Sequence, residues 1–520
     1  MDVKTLNIDL NRVEGDLEFE LDLQGDTIVD ARCKGVMYRG FEQLLIGRAP
    51  SDAVVITPRV CGICGTAHMY CAVTALERMW NIEVPVIATR VRDLCLMAES
   101  VQSDMRQTFL MFTADFCNED YKQHPMFDEI LAAFEPFKGK LYRETLDISR
   151  KMLEIVAIYG GQWPHSSYML PGGVLTEPTM ERAQSSCEII EKAIRWYEQS
   201  VLDDSLDNWL SLSSADDFYK WVETKETSRS AMALFTKFGR DELNLHEIGK
   251  GTPNLLSYGN YKIPETWKPP FDQEQHWWRS GFWNGETNSL EDFDHQHIAE
   301  HVKYSWFYPY SGGKHPWEGE TKPHYRENSD QYTWAKAPRY KDKVAQTGPL
   351  SEMVVADEPV IKDMFLKEQD NCWLRQFARL RRLGLVLQKM RDDIQTIKIS
   401  KPEQHFNNVS DDQKTDGEGY GLVEAARGAL GHWVKVEDGI IDKYQIITPT
   451  AWNASPKDEA NLPGHWEQSV IGMKLPNPDN PVELGHVIRS HDPCLVCTVH
   501  ATELIDKATP NRHSYRFNAV

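Results

Sequence analysis

Two cysteine pairs dominate the chemistry this sequence can do. Arg59-Val60-Cys61-Gly62-Ile63-Cys64-Gly65-Thr66-Ala67-His68 lies near the N-terminus, and Asp492-Pro493-Cys494-Leu495-Val496-Cys497-Thr498-Val499-His500 near the C-terminus. A two-residue gap lets both sulfurs of a pair turn toward one metal, and two pairs supply four soft thiolates, which suit zinc, an iron–sulfur cluster or nickel. A zinc staple is the plainest reading of paired C-x-x-C motifs. The separation argues against it: 429 residues lie between Cys64 and Cys494, whereas zinc ribbons and fingers hold both pairs within a few tens of residues. A ferredoxin-like run needs further closely spaced cysteines, and Cys71 does not fit that spacing. Cys33, Cys95, Cys117, Cys187 and Cys372 are dispersed, and Cys95 falls on an apolar helix face as a small core residue.

A site built from both ends of a chain needs a scaffold that returns one end to the other. Leu6, Ile8, Leu10 and Leu17, Phe19, Leu21, Leu23 alternate on either side of a short break, with Gly25-Asp26 as a turn signal, which predicts a small antiparallel sheet. From about residue 62 the period lengthens. Val91, Leu94, Cys95, Ala98, Val101, Met105, Phe109 and Phe112 fall at steps of three and four, and similar patterns run through 146–158, 178–200 and 372–397. Gly384 interrupts the last pattern, where a mid-helix Gly costs about 1 kcal/mol relative to Ala. Between about 250 and 345 the texture turns aromatic and irregular, with Trp267, Trp277, Trp278, Trp283, Trp306, Trp317 and Trp334 among Gly, Pro and His. That stretch reads as a loop-rich wrapping layer, either pinned by aromatic anchors or forming a partner interface. Asp438-Gly439 between Trp433-Val434 and Tyr444-Gln445-Ile446-Ile447 signals a hairpin. The fold class expected is α+β and predominantly helical: a long core helix bundle with small antiparallel sheets at its margins.

Charge and length exclude several classes. The 57 Lys and Arg against 78 Asp and Glu leave a net charge of −21, a field that repels nucleic acid and anionic lipid. No stretch approaches the roughly 20 apolar residues of a membrane span, and the first thirty residues lack an export signal's basic-then-apolar order. Ten cysteines in 520 residues are too sparse for a disulfide-stapled secreted domain and fit a reducing, cytoplasmic compartment. At roughly 150 residues per domain the length allows three or four domains, but cysteine pairs at both ends favour a single large unit.

The motifs carry a family resemblance. Arg12-Val13-Glu14-Gly15-Asp16 and the segments 59–68 and 492–500 resemble the signature motifs of the large, catalytic subunit of nickel–iron hydrogenases. Arg39-Gly40-Phe41-Glu42, Pro171-Gly172-Gly173, Lys336-Ala337-Pro338-Arg339-Tyr340, Gly348-Pro349-Leu350 and Glu424-Ala425-Ala426-Arg427-Gly428 resemble further family blocks in the expected order. The resemblance therefore covers nearly the whole chain. It implies a nickel held by Cys61, Cys64, Cys494 and Cys497, with Cys64 and Cys497 bridging to an iron that carries carbon monoxide and cyanide, and Cys61 and Cys494 terminal on nickel. The implied reaction is heterolytic cleavage of dihydrogen to protons and electrons. On the same resemblance Arg427 stands over the open face of the metals, where its directional donors polarise dihydrogen and support a cyanide. Glu14 passes protons from a terminal thiolate, Asp104 and Asp492 complete a polar ring, Thr450 donates to the other cyanide, and His68 donates to a cysteine sulfur. Glu42 and His500, with a main-chain carbonyl near Ile446, match the ligands of a separate Mg²⁺ site.

Each residue also has a plain alternative. These are a helix-cap arginine for Arg427, a solvated carboxylate for Glu14, a turn initiator for Asp492, a strand-end threonine for Thr450 and a hydrogen-bonded histidine for His500. Ala426 departs from the family's E-A-P-R-G and alters the apolar shape beside Arg427, while G-T-A-H at 65–68 and Gln102-Ser103-Asp104 place the chain nearer the cytoplasmic uptake and hydrogen-sensing branch. The resemblance implies 1–500 as the hydrogenase unit and 501–520 as a C-terminal extension removed after His500 by a maturation endopeptidase; Tyr515, Phe517 and Ala519 alternate as a short edge strand does if it is retained. No spare cysteine set serves an electron relay, so an obligate iron–sulfur small subunit is expected beside the cysteine pairs and the N-terminal region, with maturation proteins, higher-order oligomers and peripheral attachment at the cytoplasmic membrane face through partners. The function expected is hydrogen uptake, with a low-turnover hydrogen sensor and a metal-free structural relative as rivals. Retention of all four cysteines counts against the last.

Overall fold

The computed structural model describes residues 3–327, 329–399 and 404–495. Strict alternation at the N-terminus produces β1 (Val3–Leu10), β2 (Leu17–Gln24) and β3 (Thr27–Gly35), paired antiparallel in that order. Leu17, Phe19, Leu21 and Leu23 are buried on the face turned to the protein interior.

The interior is helical. After the short α1 (Phe41–Leu45), the major helices are α2 (Gly65–Trp80), α3 (Val86–Arg106), α4 (Lys140–Gly160), α5 (Met180–Trp196) and α6 (Cys372–Ile399). The residues predicted at three- and four-residue steps on α3 are all buried, and so are Arg92, Asp93, Glu99, Gln102 and Asp104 on its other faces. A helix buried all round is central: α3 packs on α2, α4 and α6, and α5 packs on α4 and α6. Gly384 marks where α6 takes the rings of Tyr197 and Trp209, since a Cβ there would lie 3.0 Å and 3.1 Å from them. The residue that weakens the helical pattern is thus a requirement of packing.

A second sheet carries the C-terminal half of the site. It comprises β4 (Gly417–Ala425), β5 (Gly428–Glu437) and β6 (Ile440–Ile447), followed by α7 (Pro449–Asn453) and α8 (Val482–Arg489). The Asp438-Gly439 hairpin forms as predicted, both residues having positive φ, 53° and 74°. Helix α2 lies directly on β4: a Cβ at Gly421 would stand 2.0 Å from the Cys71 carbonyl oxygen, and one at Gly419 2.2 Å from that of Ala75. These two glycines press the helix that follows Cys64 against the strand that leads to Arg427.

One large hydrophobic cluster runs from Ile8 to Leu495, and smaller ones around Trp433 and Trp452, around Tyr38 and Trp334, and around the cysteines lie beside it. The wrapping stretch is loop-rich with short strands, and Trp267, Trp278, Trp283 and Trp334 are buried within the chain itself. Most of its aromatics are therefore internal anchors; Trp277, Tyr308 and Tyr325 are exposed.

Candidate metal centre

Three of the four motif cysteines meet. Cys61 and Cys64 sit in the loop before α2, and Cys494 follows α8. They are buried and form a small cluster with Ile63, apart from the main core. The sulfurs of Cys61 and Cys494 are 3.6 Å apart, too far for a disulfide at about 2.05 Å. Two sulfurs bound about 2.3 Å from one metal stand about 3.3 Å apart at a right angle and about 3.8 Å at the tetrahedral angle. The observed separation falls between, so the thiols fit ligation of a common metal. Cys497 and His500 lie outside the described residues.

Backbone pairing brings the two chain ends together. The Glu14 N–H donates to the Pro493 carbonyl at 3.2 Å, and the Leu495 N–H donates to the Glu14 carbonyl at 2.6 Å, forming a parallel bridge between Glu14 and Cys494. The Cys494 N–H donates to Thr450 Oγ1 at 3.3 Å, so Thr450 lies in the first turn of α7 and reaches across the fold rather than bonding locally. On the other side, Glu99 of α3 accepts from Thr66 N–H at 2.9 Å and Ala67 N–H at 3.1 Å, capping α2 beside Cys64. Burial pushes the Glu99 carboxyl up to about 7 against those donors.

Arg427 occupies the turn between β4 and β5 and is 7% exposed, which removes its surface-cap alternative. Its Nε donates to the Asp492 carbonyl at 3.1 Å and lies 3.0 Å from Asp492 Oδ1. Burial opposes its charge, but Asp492 and the thiolates of Cys494, Cys61 and Cys64 outweigh that and hold it firmly protonated. Among the described residues Arg427 Nη1 has no hydrogen-bond partner. Cys64, His68, Ala425, Arg427, Leu430, Thr448, Pro449 and Thr450 line one small cavity. Soft thiols, a fixed cation with an unspent donor and an apolar wall suit a metal that binds a small neutral molecule.

Glu14 is half-buried. Burial and then the Cys61 thiolate raise its carboxyl, against the opposing charges of Arg427, Arg39 and Arg106. The two aspartates play unequal parts. Asp492 holds Arg427 directly, whereas both oxygens of Asp104 are taken by Arg382, at 2.6 and 2.9 Å. Arg382 also donates to Glu352 at 2.6 Å and to the Ala426 carbonyl, so Asp104 acts on the Arg427 turn through a second arginine. Residue types alone gave no signal for Arg382.

Glu42 lies in a different cluster. Its Oε1 accepts from the Ile446 N–H at 2.9 Å, and its Oε2 accepts from Thr321 and lies 3.5 Å from Lys336 Nζ. Ile446 is on the edge strand β6, which leaves its N–H free of the sheet to meet Glu42. Lys336 also meets Glu300 at 3.5 Å and Thr321 at 2.8 Å. Burial and the neighbouring Glu42 charge, against the pull of Lys336, leave Glu300 pushed up to about 7.

Similarity to known proteins agrees with this geometry. The family model described as "Nickel-dependent hydrogenase" matches residues 39–122 and 106–500. The periplasmic [NiFeSe] hydrogenase large subunit of Desulfomicrobium baculatum is 30% identical, with 94% of this chain and 93% of that protein covered. The uptake hydrogenase large subunit of Rhodobacter capsulatus is 27% identical, with 94% of each covered. Among solved structures, the reduced Ni-Fe-Se hydrogenase of D. vulgaris Hildenborough superposes with a TM-score of 0.79 at 28% identity, covering 96% of this chain and all of that one.

Proposed function

The chain belongs to the nickel-dependent hydrogenase family, and from that premise we propose that it is the catalytic large subunit of a hydrogen-uptake enzyme working with a separate iron–sulfur small subunit. It is an oxidoreductase acting on dihydrogen, with a nickel–iron active site. The observation that carries the site assignment is the approach of Cys61 and Cys494, 433 positions apart, to 3.6 Å beside Arg427.

On this reading Cys61, Cys64, Cys494 and Cys497 would hold a nickel–iron centre whose iron would carry carbon monoxide and cyanide. When bound, that centre supplies the electron-accepting metals at which dihydrogen is split into two protons and two electrons. Arg427, oriented by Asp492, presents Nη1 to the cavity as a fixed positive donor. The Thr450 hydroxyl accepts from the Cys494 N–H, which leaves its own proton to donate to a cyanide. Glu14 takes up and releases a proton at its carboxylate oxygen, and its raised affinity for that proton suits exchange rather than permanent ionisation. Cys494 and Glu14 share a backbone bridge, which holds the two residues side by side. Asp104 steadies the turn through Arg382.

The second cluster supports Mg²⁺ held by Glu42, the Ile446 carbonyl and His500. Glu42 and Glu300 outnumber Lys336 by one charge, and hard oxygen ligands suit that cation. The small subunit is supported by the relatives' printed names as large subunits. A cytoplasmic setting, peripheral through partners, is supported by cysteines that form no disulfide among the described residues; no described helix is long and apolar enough to cross a membrane. One relative is named periplasmic, so cell fractionation is the check.

Hydrogen-dependent reduction of an artificial acceptor by the purified two-subunit complex tests uptake. Sustained turnover is expected. A complex loaded with nickel and iron that barely turns over would make the chain a hydrogen sensor instead.

A further inference from the structure

Behind His68 a buried line of polar side chains leads away from the centre, and its further members, His432 and Tyr444, have no part in the roles assigned so far. His68 Nδ1 lies 3.0 Å from His432 Nε2, and His432 Nδ1 lies 2.9 Å from the Tyr444 hydroxyl. The three residues come from α2, β5 and β6 and are 0%, 0% and 1% exposed. Their meeting depends on a bulge. From the Asp438-Gly439 turn, regular pairing would set His432 opposite Gln445 and put Tyr444 on the other face of the sheet. The register instead slips between Lys435 and Val436: Lys435 faces Lys443 while Val436 faces Ile441, so Asp442 is the extra residue. His432 then faces Ile446, and Tyr444, two residues away, shares its face.

We propose that Tyr444 and His432 are positioning residues that hold His68 in the tautomer protonated on Nε2, so that this N–H is presented to the cavity shared with Cys64, Arg427 and Thr450. Proton accounting gives the direction. A phenol can donate to His432 Nδ1 or accept from it. If it accepted, its own buried proton would have no acceptor among the described residues, which is costly. Tyr444 therefore donates to Nδ1. A neutral His432 then carries its proton on Nε2 and donates to His68 Nδ1, and a neutral His68 carries its proton on Nε2. No proton is transferred; the relay sets which atom bears it. The inference rests on the proposed metal centre only for its consequence: a fixed, polarised donor among thiolates stabilises the reduced metals.

The test is nitrogen-15 NMR of the full-length, metal-free chain labelled in the histidine rings, with His68 assigned by the signal lost in His68→Gln. The wild type is expected to show protonated Nε2 and bare Nδ1. His432→Leu and Tyr444→Phe should lose this fixed tautomer, and His432→Gln, whose amide keeps a donor toward His68, should retain it. A wild-type proton on Nδ1, or a tautomer unchanged in both His432→Leu and Tyr444→Phe, overturns the relay. The wild-type spectrum needs no variant to fold, and far-ultraviolet dichroism identifies any variant that does not. In the metal-loaded complex, Tyr444→Phe should move the nickel midpoint potential to more negative values. A failed metal assignment would leave the tautomer result standing, so the two failures are distinguishable.

Discussion

The cysteine centre and the Glu42 cluster are both buried, and both join segments hundreds of residues apart, yet they balance charge in opposite ways. Around the thiols the counter-charge is Arg427, a guanidinium that stays protonated and is fixed in direction by Asp492. Around Glu42 it is Lys336, a point charge shared between two carboxylates, one of which is pushed up to about 7. In the first cluster the counter-charge itself stays fixed across neutral pH, although the Glu99 carboxyl beside it is pushed up to about 7. The second holds a group that can change charge there. A redox centre gains from the first arrangement because its electrostatics stay constant while electrons move, whereas the second leaves a deficit that a hard cation can fill.

Several substitutions should separate the two regions. The largest effect is expected from Cys494→Ser, which replaces a soft ligand with a hydroxyl: turnover should fall to background and nickel content should drop in elemental analysis. Arg427→Lys should keep both metals and lower kcat by about 10²–10³-fold, since a point charge cannot reproduce the oriented donor; steady-state hydrogen oxidation measures it. Glu42→Gln should remove the hard cation with nickel and iron retained, at about a 10–100-fold loss of activity. If it removed nickel instead, the clusters would be one unit. The smallest effect concerns pH. The Glu300 carboxyl binds its proton more tightly folded than unfolded, so its contribution to stability is present below about 4.5 and lost as pH rises through about 7. Thermal melts of the metal-free chain should therefore fall by a few degrees from pH 5 to pH 8, and Glu300→Gln should flatten that slope.

Residue types and spacing made the thiols legible, because C-x-x-C pairs carry their chemistry in local order, whereas Arg427 and Glu14 were reached only through the family resemblance of the motifs around them. The helical core was legible for the same reason: α3 and α6 repeat apolar residues at three- and four-residue steps over their length. What escaped depends on long-range register. Arg382 reaches Asp104 across 278 positions, and nothing near Arg382 distinguishes it from the other arginines of α6. Lys336 lay in a motif, but its burial between Glu42 and Glu300 needs the fold. His432 and Tyr444 were hidden by the bulge at Asp442, since the turn alone predicts opposite faces for them. Glu99 carries one signal in the sequence, a carboxylate inside an apolar helix, which must meet donors when buried.

The central claim is that four thiolates from the two ends of the chain bind nickel and share an iron. Elemental analysis of the purified, matured two-subunit complex, with infrared spectra of the same sample, tests it most directly. Nickel and iron in equal amounts with carbonyl and cyanide stretching bands are predicted. Zinc alone in well-folded protein, with no such bands, would contradict it.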